Sequence, residues 1–164
     1  MHSATCLTKR RNIDVHFFLF LSILLLLNMK VHSTNHYDTF IEVSPDSKAT
    51  CGIRPPLKAN RTIAERQYDL IISHPYEFTS DEIFFRIFAE KNDLLQQEII
   101  LAKELFFSKG QPCFRASPLA KTYGFGIHCD GEGRVSIYGV ETEEYKKLAE
   151  NKFITKLKAM RSGK

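Results

Sequence analysis

The reading of the fold turns on Tyr123–Val140, "YGFGIHCDGEGRVSIYGV". Phe125, Ile127 and Cys129 alternate with Gly126 and His128, and after a glycine-punctuated break Val135 and Ile137 alternate with Ser136 and Tyr138. Period-two alternation on both sides of a turn is the signature of a half-buried hairpin. A three-residue loop, Gly131-Glu132-Gly133, sets Gly133 at the left-handed position that closes such a turn. That loop pairs Cys129 with Val135, Ile127 with Ile137 and His128 with Ser136, so both apolar sets share one face. A two-residue loop would set Ile127 against Ser136 and is rejected.

Upstream, Thr39–Val43 reads as a strand, and Ser44–Asn60, with Pro45, Gly52, Pro55 and Pro56, as a long connection. Thr62 and Glu65 have capping-box spacing, with Ala64, Tyr68, Ile71 and Ile72 on one helical face and His74-Pro75 as the stop. Thr79 and Glu82 repeat the box ahead of Ile83, Phe84, Ile87 and Phe88. A third helix is predicted over Leu94–Phe107, with Leu95, Ile99, Ala102 and Phe106 in register and Gly110 as the stop. The phenylalanines at these spacings read as core. Downstream, Thr142 caps a short helix to about Glu150, and Thr155–Arg161 can form a last strand. The expected fold is α+β: an antiparallel sheet containing the C-terminal-half hairpin, covered on one side by about three helices.

The first residues read differently. Lys9, Arg10 and Arg11 precede an apolar run from Val15 to Leu27, too short to span a bilayer comfortably but of the form of a secretory leader. Lys30 and Met29 fit a leader poorly, and translation starting at Met29 is the preferred alternative. Past Ser33 only Cys51, Cys113 and Cys129 remain, an odd number that favours a reducing compartment, whereas Asn60-Arg61-Thr62 matters as a glycosylation acceptor only in a secreted chain. Residues 1–28 are therefore expected to lie outside the domain, and residues 29–164 to form one domain of a cytoplasmic protein. The alternative is a secreted or membrane-anchored protein, with residues 15–27 the one contact with membrane. Of the net charge of +4, about half sits in the leader, so global charge implies neither nucleic acid nor membrane as partner.

The candidate chemistry is concentrated around the hairpin. Cys113 has Arg115 on the same side if "PCFRAS" is extended, and a nearby cation lowers a thiol pKa. His128 could serve as base, with Ser136 and Tyr138 on its face of the hairpin. The opposing reading is a buried structural cysteine and a histidine that merely satisfies hydrogen bonds. Arg115 and Lys121 suit an anionic small molecule. The expected ligand-facing set is thus Cys113, Arg115, Lys121, His128 and Tyr138.

No metal or cofactor is expected. There is no Cys-x-x-Cys and no histidine pair at i, i+4, and adjacent His128 and Cys129 point to opposite faces of a strand. Gly124-Phe125-Gly126 lacks the third glycine of a dinucleotide loop, and Asp130–Gly133 lacks the alternating ligands of a calcium loop. The basic tail, Lys152, Lys156, Lys158, Arg161 and Lys164 with the single aromatic Phe153, offers a weak nucleic-acid reading.

Five blocks, "NHYDTFIEV", "HPYEFTSDEIFF", "FFSKGQPCFRASPLAKTYGFGIH", "YGVETEEY" and "LKAMRS", resemble in order an uncharacterised family of small proteins, the domain of unknown function numbered 6157. The resemblance runs from Lys30 to the C-terminus and implies a start near Met29; Phe125 stands where it implies a tryptophan. It implies no activity and no catalytic residue. The order of helix, "GQPCFR", hairpin and "GVETEEYKKL" is also similar to small domains of the MmcQ/YjbR type, an analogy that says nothing of function. The expected function is a small ligand-binding or interaction module, with an enzyme using Cys113 and His128 as the alternative.

Overall fold

The central element is a strand of only four residues, β1 (Thr39–Glu42), in a computed structural model that describes residues 31–162. The leader, the Met29 start and Lys164 lie outside the described residues. β1 is followed by helices α1 (Ile63–Ser73), α2 (Ser80–Lys91), α3 (Ile99–Phe107) and the short α4 (Pro118–Lys121). The hairpin strands β2 (Phe125–Cys129) and β3 (Val135–Gly139), helix α5 (Glu143–Glu150) and strand β4 (Thr155–Lys158) complete the chain. The residues from His32 onward form one compact unit. Among the described residues no helix is long and apolar enough to cross a membrane.

The four strands are ordered β3-β2-β1-β4. Ile127 pairs with Ile137, His128 with Ser136 and Cys129 with Val135, the register the alternation predicts. Gly133 has φ +79°, and its N–H donates to the Asp130 carbonyl at 3.0 Å. The Asp130 carboxylate accepts from the N–H groups of Glu132 and Arg134, which fixes the loop.

Four expectations are corrected. The sheet is mixed, because β4 runs parallel to β1, with Ile41 opposite Leu157. The sheet is also covered on both faces. α1, α2 and α4 pack on the face carrying Ile41, Ile127, Cys129 and Val135, whereas Tyr145 of α5 meets Phe40 edge-on at 5.0 Å on the other. The third helix is preceded by a 3-10 turn, Gln96–Glu98, and leans on α2 through Phe85, Phe88 and Phe106 rather than on the sheet. In α1, moreover, Ile72 is half exposed, while Glu65 and Gln67 are buried with Ala64 and Ile71.

The caps follow the sequence. Thr62 Oγ1 accepts from the Glu65 N–H, and Thr79 with Glu82 makes a full capping box. Gly126 is the tightest point of the α5 face. A Cβ there would stand 2.5 Å from the Phe40 ring and 2.6 Å from the Tyr145 ring. Gly126→Ala is therefore expected to destabilise by about 2–3 kcal/mol through overpacking. Gly131→Ala, whose Cβ would meet only the Asp38 carboxylate at 3.3 Å, should be near neutral. Urea denaturation of the two variants checks this, and equal losses would refute the close-approach argument.

Candidate functional site

Alternation along β2 sends Cys129 into the core and His128 to the opposite face. There His128 and Tyr138 are joined by a residue the sequence reading missed, Tyr76. The α1–α2 connection runs along the free edge of β3, its Tyr76 N–H donating to the Val135 carbonyl and its Phe78 carbonyl accepting from the Val135 N–H, both at 2.9 Å. Tyr76 takes a left-handed backbone, φ 57°, which swings its phenol over the sheet edge. Its hydroxyl lies 2.7 Å from His128 Nδ1 and 3.0 Å from the Tyr138 hydroxyl. Tyr138 donating to Tyr76 and Tyr76 donating to Nδ1 makes a consistent chain, with the proton of neutral His128 on Nε2. Burial raises the Tyr76 pKa far above the ordinary tyrosine range, helped by Tyr138, so the phenol stays protonated. Burial also pushes His128 below its ordinary 6.5, with Asp130 and Asp38 opposing the shift.

This arrangement stabilises neutral His128. In a pH interval below 6.5 the unfolded chain binds a proton there that the folded chain does not. The contribution is thus complete above 6.5 and is lost as pH falls through the depressed folded value. Stability measured between pH 7.5 and 5 should decline in the natural chain and decline less in His128→Gln. Parallel curves would show that His128 is not the group responsible.

Cys113 finds a different histidine. "PCFRAS" is not extended: Ala116 N–H donates to the Cys113 carbonyl at 2.9 Å and Ser117 N–H to the Phe114 carbonyl at 3.0 Å, making a 3-10 turn that runs into α4. The His36 side chain lies against the thiol and is the largest influence holding its pKa below the ordinary value; burial opposes this, and the Arg115 N–H and charge add to it. His36 Nε2 is buried and has no hydrogen-bond partner among the described residues. The expected Cys113–His128 pairing is therefore corrected: His128 is engaged by Tyr76 on the outer face, and the histidine that acts on the Cys113 thiol is His36. His36 precedes β1 in a stretch without periodicity and gave no signal in the sequence.

The other expected residues disperse. Arg115 Nε donates to the Lys158 carbonyl at 3.0 Å and its carbonyl accepts from Met160 N–H at 2.7 Å, so Arg115 fastens the turn to the end of β4. Lys121 ends α4, half exposed, and makes no ion pair among the described residues. Lys156 and Lys158 are exposed on the edge strand β4, and Phe153 before them is 96% exposed.

Cys113 also borders a mostly apolar groove of about 400 Å³. Ile63 and Gln67 of α1, Phe84, Phe88 and Lys91 of α2, Phe106 of α3 and the Pro112–Pro118 segment form its walls. Gln67 is buried, and its Oε1 accepts from Ser117 Oγ at 2.6 Å.

A family model described as a family of unknown function (DUF6157) matches residues 31–164. The chain belongs to this family. No curated protein and no solved structure matches it. Membership assigns no role to Cys113, His36 or the groove, and their chemistry is argued from geometry alone.

Proposed function

We propose that the protein binds a small amphiphilic molecule, its apolar body in the groove beside Cys113 and its anionic end at Lys91. The observation that carries this is the groove itself, a cavity of about 400 Å³ walled by aromatic, aliphatic and proline side chains with few polar groups. Preformed concave sites of roughly 300–1,000 Å³ with a few placed polar groups are where small ligands bind. Lys91, in the last turn of α2, is exposed at the groove and is the cation available to an anionic head. This reading moves the expected anionic partner from Arg115 and Lys121 to Lys91.

Calorimetric titration with decanoate and with decanol tests it. Both should bind, and Lys91→Ala should weaken decanoate roughly fivefold, the worth of one partly exposed ion pair, while leaving decanol unchanged. Ala116→Phe, which fills the groove, should abolish both. Binding that survives Ala116→Phe, or no binding at all, refutes the reading.

A second reading, thiol chemistry at the groove, is favoured by the juxtaposition of Cys113 and His36. A thiolate next to a cationic or basic neighbour is the reactive form of cysteine. Iodoacetamide labelling of Cys113 should follow a pH curve displaced below 9.0, and His36→Ala should slow labelling at pH 7. Exposed Cys51 serves as the internal comparison, and Cys129, buried and pushed up to about 12, should remain unlabelled in the folded protein. Labelling of Cys113 that is unaffected by His36→Ala removes the enzyme reading and leaves the binding one.

A further inference from the structure

Helix α3, "IILAKELFF", is apolar on nearly every side. A helix of that kind is ordinarily buried all round, yet only Phe107 is fully buried here. Its inner side is occupied, with Phe106 stacked on Phe88 at 4.7 Å and close to Phe85 at 5.9 Å. Its outer side is bare: Ile100 is 76% exposed, Leu101 53% and Leu105 51%, and Leu95, ahead of the preceding 3-10 turn, is 59% exposed. Together these present on the order of 500 Å² of apolar surface, near the top of what an ordinary monomer leaves uncovered. That is more than half of the roughly 800 Å² each partner contributes to a standard interface.

The charges on this face say what covers it. Leu101 and Leu105 share one stripe of α3, with Glu98 in the 3-10 turn that leads into it and Lys109 two residues past its end. An acid stands at the N-terminal end, a base at the C-terminal end and two leucines between. Turned about a two-fold axis and laid antiparallel on itself, this stripe sets Leu101 against Leu105 of the other copy, and Glu98 against its Lys109, at both ends. Lys109 is exposed and makes no ion pair among the described residues. One Glu98 carboxylate oxygen accepts from the Leu95 N–H at 2.8 Å, which leaves the other available. An unrelated partner would not require a pattern complementary to itself; an isologous dimer does.

We infer that a second copy of this chain docks here, forming a two-fold dimer through antiparallel α3 helices. Glu104 falls on the opposite flank near the axis, where it approaches its own copy. It is the one adverse contact of the pairing.

Sedimentation velocity of the full chain over a concentration series tests this, with thermal denaturation run alongside. The natural chain should be dimeric. Leu101→Lys and Leu105→Lys, both at exposed positions, should be monomeric with unchanged melting. Lys109→Glu should raise the dimer dissociation constant roughly tenfold, since each ion pair occurs twice. The double exchange Glu98→Lys with Lys109→Glu should restore it, and Glu104→Gln should tighten it. A monomeric natural chain overturns the proposal. So does a dimer indifferent to Leu101→Lys, or a double exchange that fails to restore. A monomer that floats with phosphatidylcholine vesicles, and loses them on Leu101→Lys, assigns the face to lipid instead.

Discussion

Both edges and both faces of β1 are used, and the remaining structure is arranged around that. Its four residues pair antiparallel with β2 on one side and parallel with β4 on the other. Phe40 and Ile41 are both fully buried, one beneath α5 and the other beneath the helical layer. A strand so placed satisfies all its backbone groups internally and tolerates little change in length. Its entry is equally constrained. Asp38 adopts φ 42°, its N–H donating to the Asp130 carbonyl at 3.0 Å and its carbonyl accepting from Thr155 N–H at 2.8 Å, so one residue ties the hairpin loop and β4 to the start of β1. His36 lies two residues upstream of this knot, and the knot is what delivers it to Cys113.

What could be read from the sequence follows from how local each signal is. The hairpin register was legible because Gly133 demands a left-handed backbone and because period-two alternation leaves one register with all apolar residues on one side. The caps of α1 and α2 were legible for the same reason, since Thr62, Thr79 and Glu82 act within one turn of helix. The parallel pairing of β4 was not, because nothing in "TKLK" reports the direction of its neighbour across more than a hundred residues. The second face of the sheet was hidden by Gly126, whose missing side chain admits the Phe40 and Tyr145 rings. Phe40 and Ile41, adjacent and both apolar, show no alternation, as befits a strand buried on both sides.

The candidate site was half legible. His128 and Tyr138 share a face, as the register required, but the hydroxyl that joins them comes from Tyr76, which sits in a loop with no periodic context. The turn at Phe114–Ala116 broke the assumption that placed Cys113, Arg115 and Ser117 on one side. The Ser117-Pro118 pair explains that break: Ser117 Oγ accepts from the Leu119 N–H at 3.2 Å and proline occupies the first helical position, a start signal for α4 that leaves "CFRA" to turn rather than extend.

The two polar clusters therefore have opposite character, and this decides where chemistry can occur. At His128 the three side chains bond to one another, and the cluster secures the α1–α2 connection to the sheet. At Cys113 the balance is reversed: His36 Nε2 is buried without a partner among the described residues, and the thiol borders open apolar space. That space persists because its floor is braced from beneath. The Ser117 hydroxyl both caps α4 and donates to buried Gln67, so one side chain holds the Pro112–Pro118 segment against α1 at a fixed distance. Pro112 and Pro118 at the two ends of that segment restrict its backbone further. Close packing is the rule in protein interiors, and a segment free to move would collapse onto Phe84 and Phe88. A groove kept open by a buried hydrogen bond and two prolines is a shape the chain maintains against its own tendency to pack, which is the strongest physical reason to seek its function there.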